Sequence, residues 1–151
     1  MCGCSPELFE SKAQCPVGFD KGNMKFFNMP NTEHNIACDP EAAQYVFKNS
    51  NLMVADWGLT IRNGIDLDLY SELCLSKTIV GKFHALISQQ YKNTLIKFGY
   101  SQVLCCDTLA VMAAMGLTKS VKVKCDINIE DCDDLGMCTE GEYEVQVIIS
   151  V

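Results

Sequence analysis

From residue 39 onward the chain changes its hydrophobic period several times. Asp39 can cap a helix, Pro40 suits the first turn, and Glu41 favours the positive helix end. Ala42, Ala43, Val46 and Phe47 then form an apolar face that Asn49-Ser50 closes. LMVADW (52–57) predicts a short buried strand. A longer helix fits SKTIVGKFHALISQQYKNTLIKFG. Its residues Ile79, Phe83, Leu86, Ile87 and Tyr91 share one face, the kind of stripe that packs on a core, and Gly99 is its stop. SQVLCC (101–106) predicts a strand, and Asp107 is expected to cap a helix over TLAVMAAM that ends at Gly116. VKVKCDINI alternates, with Val121, Val123, Cys125, Ile127 and Ile129 on one side, and YEVQVIISV ends the chain as another strand. Helices alternating with short apolar strands predict an α/β layered fold with a central sheet flanked by helices. Residues 1–21 show no clear period and are left unassigned; the expected domain is 22–151.

At 151 residues the chain has the size of one domain and can bury about 70% of its unfolded surface. Twelve basic residues are scattered among nineteen acidic ones, giving a net charge of −7. A phosphate-binding surface needs clustered Lys and Arg, so nucleic acid is not an expected partner. The start MCGCSPELFESK lacks a basic region followed by an apolar run, so no signal peptide is expected. No stretch reaches the roughly 18 apolar residues of a membrane span, so no membrane partner is expected either. The expected compartment is the cytosol.

Ten cysteines bear on that compartment. In a small secreted chain they would suggest disulfides. Several of them, such as Cys38, Cys74, Cys105 and Cys125, lie inside apolar patterns, where a reduced cysteine acts as a small buried hydrophobe. Zinc calls for paired ligands of the C-x2-C kind; the chain offers Cys2-x-Cys4, the adjacent Cys105–Cys106 and widely spaced later cysteines. Reduced structural cysteines therefore rank ahead of disulfides and of a metal site.

The polar cluster Glu33-His34-Asn35 is joined by a short apolar link to the helix expected from Asp39. Ligands of α/β folds gather where strand ends give way to loops and helices. A carboxylate and an amide there can hold sugar hydroxyls, because both offer directional acceptors and the amide adds donors; a solvated loop is the alternative. Asp107 alone reads first as an N-cap. The acidic run DINIEDCDDLG (126–136) places Asp131, Asp133, Gly136 and Glu142 at calcium-loop spacing, but Leu135 lacks the oxygen needed between them and the flanks are strands. That run is expected to be a hairpin connection.

Taken together, two of these segments resemble one family. TEHNIACDPEAAQYVF is similar to the AEFN…DPEAA segment of the inosine-uridine-preferring nucleoside hydrolases, and CDTLAVMAA is similar to their later HDPLAVA or CDALAVA segment. Between them, MVADWGLTIRNGIDLDLY resembles the family's strand and loop, with DWG where some members have PWE, and the G-N of KGNMKFFN resembles its glycine-rich approach. The resemblance covers residues 22 to 118 and implies a partial, Rossmann-like layered domain.

Such a resemblance implies a calcium-dependent enzyme that hydrolyses the N-glycosidic bond of ribonucleosides to ribose and free base, commonly as a homo-oligomer. A hard cation with oxygen ligands positions water and lowers its pKa, and the ribosyl ring passes through an oxocarbenium-like transition state. By motif, Glu33 and Asn35 grip the ribose and Asp107 is a calcium ligand. A further sugar-binding asparagine is expected nearby, with Asn28 the candidate and Asn31 its neighbour. His34 replaces an aromatic position. Cys106 stands where one branch has a histidine that protonates the leaving base; a thiol with an ordinary pKa of about 8.5 can donate a proton there. The family's opening D-T-D-x-G-x-D-D segment, which implies most calcium ligands and the general base, has no counterpart here. The chain is therefore expected to correspond to the second half of a nucleoside hydrolase. The alternative is an inactive remnant that binds nucleoside weakly or associates through an exposed sheet edge.

Overall fold

The computed structural model describes residues 32–97, 99–130 and 135–151. Its elements are, in chain order, α1 (His34–Cys38), α2 (Pro40–Asn49), β1 (Met53–Val54), α3 (Trp57–Arg62), β2 (Ile65–Asp66), α4 (Leu67–Cys74), α5 (Ile79–Lys97), β3 (Gln102–Val103), α6 (Cys106–Ala114), β4 (Lys119–Ile127), β5 (Cys138–Glu140) and β6 (Tyr143–Ser150). They divide into two compact units. One takes the described residues up to Arg62 together with Cys106–Val151; the other is Asn63–Cys105.

The first unit is built on a mixed sheet of order β1-β6-β4-β5. The β1–β6 pair is parallel, whereas β4 pairs antiparallel with both β6 and β5. Side chains alternate across such strands, and the two faces bury different partners. Cys125 and Ile127 of β4, Val145 and Val147 of β6, and Cys138 of β5 pack with Ile36 of α1 and Phe47 of α2. Ile148, on the opposite face of β6, packs with Ala55, Leu59 of α3 and Leu109 of α6. Helices thus flank a central mixed sheet, the α/β architecture that the alternating pattern predicts.

Local chemistry accounts for the element ends. The Asp39 carboxylate accepts the Ala42 amide at 2.9 Å, Pro40 opens α2 and Ser50 closes it. The described ends of the acidic run join the antiparallel strands β4 and β5: the Asn128 amide donates to the Met137 carbonyl at 2.9 Å and the Gly136 amide donates to the Asn128 carbonyl at 2.7 Å. Asp131 and Asp133, two of the residues at calcium-loop spacing, lie outside the described residues.

Several expectations need correction. The link expected over 36–38 belongs, with His34 and Asn35, to a short helix, α1. The strand expected over 52–57 is only Met53–Val54, because Asp56 caps α3: its Oδ1 accepts the Leu59 amide at 2.6 Å. Asp107 does not cap α6, which already begins at Cys106; it sits inside the first turn, where a carboxylate still favours the positive helix end. In β4 the predicted inward set is fully buried only at Cys125 and Ile127, and Val121 is exposed. The six described cysteines are not joined to one another by disulfides; Cys125 and Cys138 are buried as small hydrophobes, but Cys38 is exposed.

The second unit carries the largest correction. Helix α5 stops where expected, with Gly99 at φ +79°, its amide donating to Ile96 and the next amide, Tyr100, donating to Leu95. Yet its bulky stripe faces solvent, from Ile79 (88% exposed) to Tyr91 (43%), with Phe83, Leu86 and Ile87 between. The half-buried positions are instead Gly81, Ala85, Ser88 and Lys92, a second stripe at helical spacing. Polar contacts fix that side to α4: Lys92 Nζ donates to Ser71 Oγ at 2.6 Å, and Tyr70 Oη bonds His84 Nε2 at 3.0 Å. Small residues let the helices approach, so the wider apolar stripe is turned outward. The unit's own core is Tyr70, Leu95 and Val103. Among the described residues, no helix is long and apolar enough to cross a membrane.

These placements predict a contrast along one helix. Leu95→Ala should lower unfolding free energy by about 2–5 kcal/mol, whereas Leu86→Ala should change it by no more than about 0.5 kcal/mol. Urea unfolding of both variants, followed through the tyrosines of this unit, measures the difference.

Candidate functional site

The site begins at a tight local knot. Glu33 is the N-cap of α1 in extended backbone conformation (φ −83°, ψ 150°) and is fully buried, although Asn35, two residues on, is exposed. One carboxylate oxygen, Oε2, accepts the Asn35 amide at 2.8 Å, and the other, Oε1, accepts Asn35 Nδ2 at 3.3 Å. Glu33 therefore fixes both the start of the helix and the orientation of the amide side chain. Glutamate is not among the favoured N-cap residues, which explains why α1 is hard to see in the sequence.

The second contributor is Thr60 on α3, fully buried. The Asp56 cap places it: the Asp56 carbonyl accepts the Thr60 amide and the Thr60 hydroxyl, each at 3.2 Å. Cys106, the first residue of α6, is half-buried and lies within hydrogen-bonding reach of Thr60 and electrostatic reach of Glu33. Burial pushes its thiol up, and the negative charges of Asp107 and Glu33 push the same way; the Thr60 hydroxyl and a backbone hydrogen bond work against them. Thr60 has a single hydroxyl hydrogen. With the thiol protonated it serves the Asp56 carbonyl, and on ionisation it can turn to the sulfur. A neutral thiol at ordinary pH is suited to giving up a proton, not to acting as a nucleophile.

Of the residues singled out by sequence, the structure brings Glu33, Asn35 and Cys106 into one unit with Asp107. Asp107 is exposed on the first turn of α6, and His34 is exposed as the first residue of α1. Asn28 and Asn31 lie outside the described residues. Thr60 and Asp56 lie inside the family-like segment MVADWGLTIRNGIDLDLY, but the resemblance gives them no role; the signal for Asp56 is an aspartate placed to cap the helix that follows it. An open cleft of about 310 Å³ adjoins Asn35 and is otherwise lined mainly by apolar side chains, including Ile36, Val46, Phe47 and Met53.

Calcium takes six to eight oxygen ligands. Among the described residues, no group of three or more His, Cys, Asp or Glu side chains could hold a metal ion. Asp107 stands exposed, and the Glu33 carboxylate is already engaged by Asn35. The described side chains do not by themselves make up a calcium centre; Asp107 is the carboxylate among them that could contribute to one.

A central mixed sheet between flanking helices is consistent with an α/β nucleoside-hydrolase-like fold. Residues 10–151 match the family model described as inosine-uridine preferring nucleoside hydrolase, and the chain belongs to that family. No curated relative matches it.

The environment of Cys106 predicts its reactivity. Burial holds the proton on the folded thiol to higher pH than on an ordinary thiol, so alkylation by iodoacetamide should accelerate at higher pH than in the unfolded chain. Thr60→Val removes the opposing hydroxyl and should move the midpoint higher still. Site-resolved mass spectrometry across pH 7–11 reads both shifts, and a midpoint lowered by Thr60→Val would contradict the assignment.

Proposed function

We propose that this chain binds ribonucleosides through Glu33 and Asn35 and supports cleavage of their N-glycosidic bond to ribose and free base, with Cys106 as proton donor to the leaving base. The observation that supports this most directly is the Glu33–Asn35 knot in a member of the nucleoside hydrolase family. The longer of its two bonds, 3.3 Å from Asn35 Nδ2 to Oε1, is the one a ribose hydroxyl can replace. That exchange substitutes a charge-assisted O–H···O⁻ bond for a weak amide contact and frees the Asn35 amide for a second sugar hydroxyl. As the glycosidic bond breaks, the ribosyl ring gains oxocarbenium character and electron density moves to the departing base. A protonated Cys106 can neutralise that density, and the incoming water supplies the hydroxyl at the anomeric carbon. The proton from Cys106 leaves with the base, and the one released by water restores the thiol.

No step is assigned to a metal, because the described residues do not form its site; Asp107 remains the residue we would assign to Ca²⁺. That same observation favours a second reading, in which the chain binds nucleoside without hydrolysing it and associates with another chain. Strand β1 lies at the edge of the described sheet, and sheet edges readily add strands.

Ribose release from inosine and uridine, measured with Ca²⁺ and with a chelator, separates these readings. The hydrolase reading expects calcium-dependent release that is lost in Asp107→Ala and falls by about 10²–10⁴-fold in Cys106→Ala. Binding without release, abolished by Asn35→Ala, establishes the second reading. Absence of both binding and release would overturn the assignment of Glu33 and Asn35.

A further inference from the structure

We propose that Thr32 and Gly136 are positioning residues: the turn at Leu135–Gly136 grips Thr32 and thereby sets the backbone that aims Glu33 and Asn35. The inference rests on the nucleoside-binding role proposed for that pair, and it assigns a function to a turn far along the chain.

Thr32 is buried, with its Oγ1 donating to the Leu135 carbonyl at 2.7 Å. The next residue, Gly136, has φ +79°, a conformation L side chains rarely adopt. A Cβ at Gly136 would lie 2.7 Å from Thr32 Cγ2 and 3.3 Å from Ile36 Cγ2. The bare glycine backbone therefore sits against the residue before the α1 cap and against the third residue of the helix. The turn itself is tied to the end of β4 by the paired hydrogen bonds of Asn128 with Gly136 and Met137.

Helix α1 has five residues, too few to persist on intrinsic propensity. Its first turn is held by the Glu33 carboxylate, so the geometry of that carboxylate follows the backbone at Thr32–Glu33. Asn35 is exposed, and Glu33 orients its side chain. A displacement of the turn therefore passes through Thr32 to Glu33 and on to the Asn35 amide without any contact between turn and ligand. The tether is a part-buried hydroxyl–carbonyl bond, which a serine can make and a valine cannot.

The test uses the full chain, labelled with ¹⁵N, and reads the Asn35 side-chain amide resonance without ligand, identified by its loss in Asn35→Ala. Uridine affinity is measured by calorimetry alongside. Thr32→Val should move the Asn35 resonance and weaken uridine binding about tenfold, and Thr32→Ser should return both to the wild-type values. Gly136→Ala, which brings a methyl onto Thr32, should reproduce the Thr32→Val shift. An unmoved Asn35 resonance in Thr32→Val, equal disturbance by serine and valine, or general unfolding of Thr32→Val would each overturn the positioning role. If the wild-type chain binds no uridine, the nucleoside reading fails, while the ligand-free resonance still decides whether Thr32 aims Asn35.

Discussion

The antiparallel pairing of β4 with β6 is the constraint on which the first unit depends. Its register sets Val123 opposite Val145 and Val121 opposite Val147. Because side chains alternate, that register also decides which residues face α1 and α2 and which face α3 and α6. Val145 and Val147 look one way and Ile148 the other. A slip of one residue would exchange the two sets and leave both helix layers without apolar partners. The parallel addition of β1 to β6 then delivers the chain through Ala55 and Asp56 into α3, where Thr60 lies. Residues distant in sequence are brought into one unit because one strand pair fixes both faces at once.

Much of this was legible in the sequence where local chemistry dominates. Asp39-Pro40-Glu41 carries its own cap and first-turn signals, and Gly99 has only one natural use after a long helical stretch. The alternation of β4 and β6 is equally plain. The misses have a shared cause: each turns on a contact that spacing cannot show. Helix α1 is capped by a glutamate, a residue with little capping propensity, and is held from outside by Thr32 and Gly136. Helix α5 presents two stripes at helical spacing, one bulky and one of small and polar residues. Apolar periodicity selects the bulky one, but close approach to α4 and the Ser71–Lys92 and Tyr70–His84 bonds select the other. Asp107 looked like a cap because Cys106 has no helical preference of its own.

The site was legible in its identities but not in its relations. Glu33, Asn35 and Cys106 follow from two family segments. That Glu33 holds Asn35 with both oxygens, and that Thr60 opposes the upward push on the Cys106 thiol, depends on elements separated in sequence. Burial is the dominant influence on that thiol, with carboxylates acting in the same direction. Both influences favour the neutral thiol, the state the proposed role of proton donor calls for.

The same distinction between local and assembled features separates family membership from activity. A sugar clamp made by residues two apart survives as long as its own helix start survives. Glu33 and Asn35 need only α1 and the turn that braces it. A calcium centre cannot be local in this way, because six to eight oxygens must converge from several elements. Among the described residues Asp107 contributes one carboxylate on an exposed helix turn, and no group of three or more His, Cys, Asp or Glu side chains is placed to hold a metal ion. The proposed grip on ribose and the activation of water are therefore physically separable requirements. The first needs only the fold around Glu33 and Asn35; the second needs further oxygens beside Asp107.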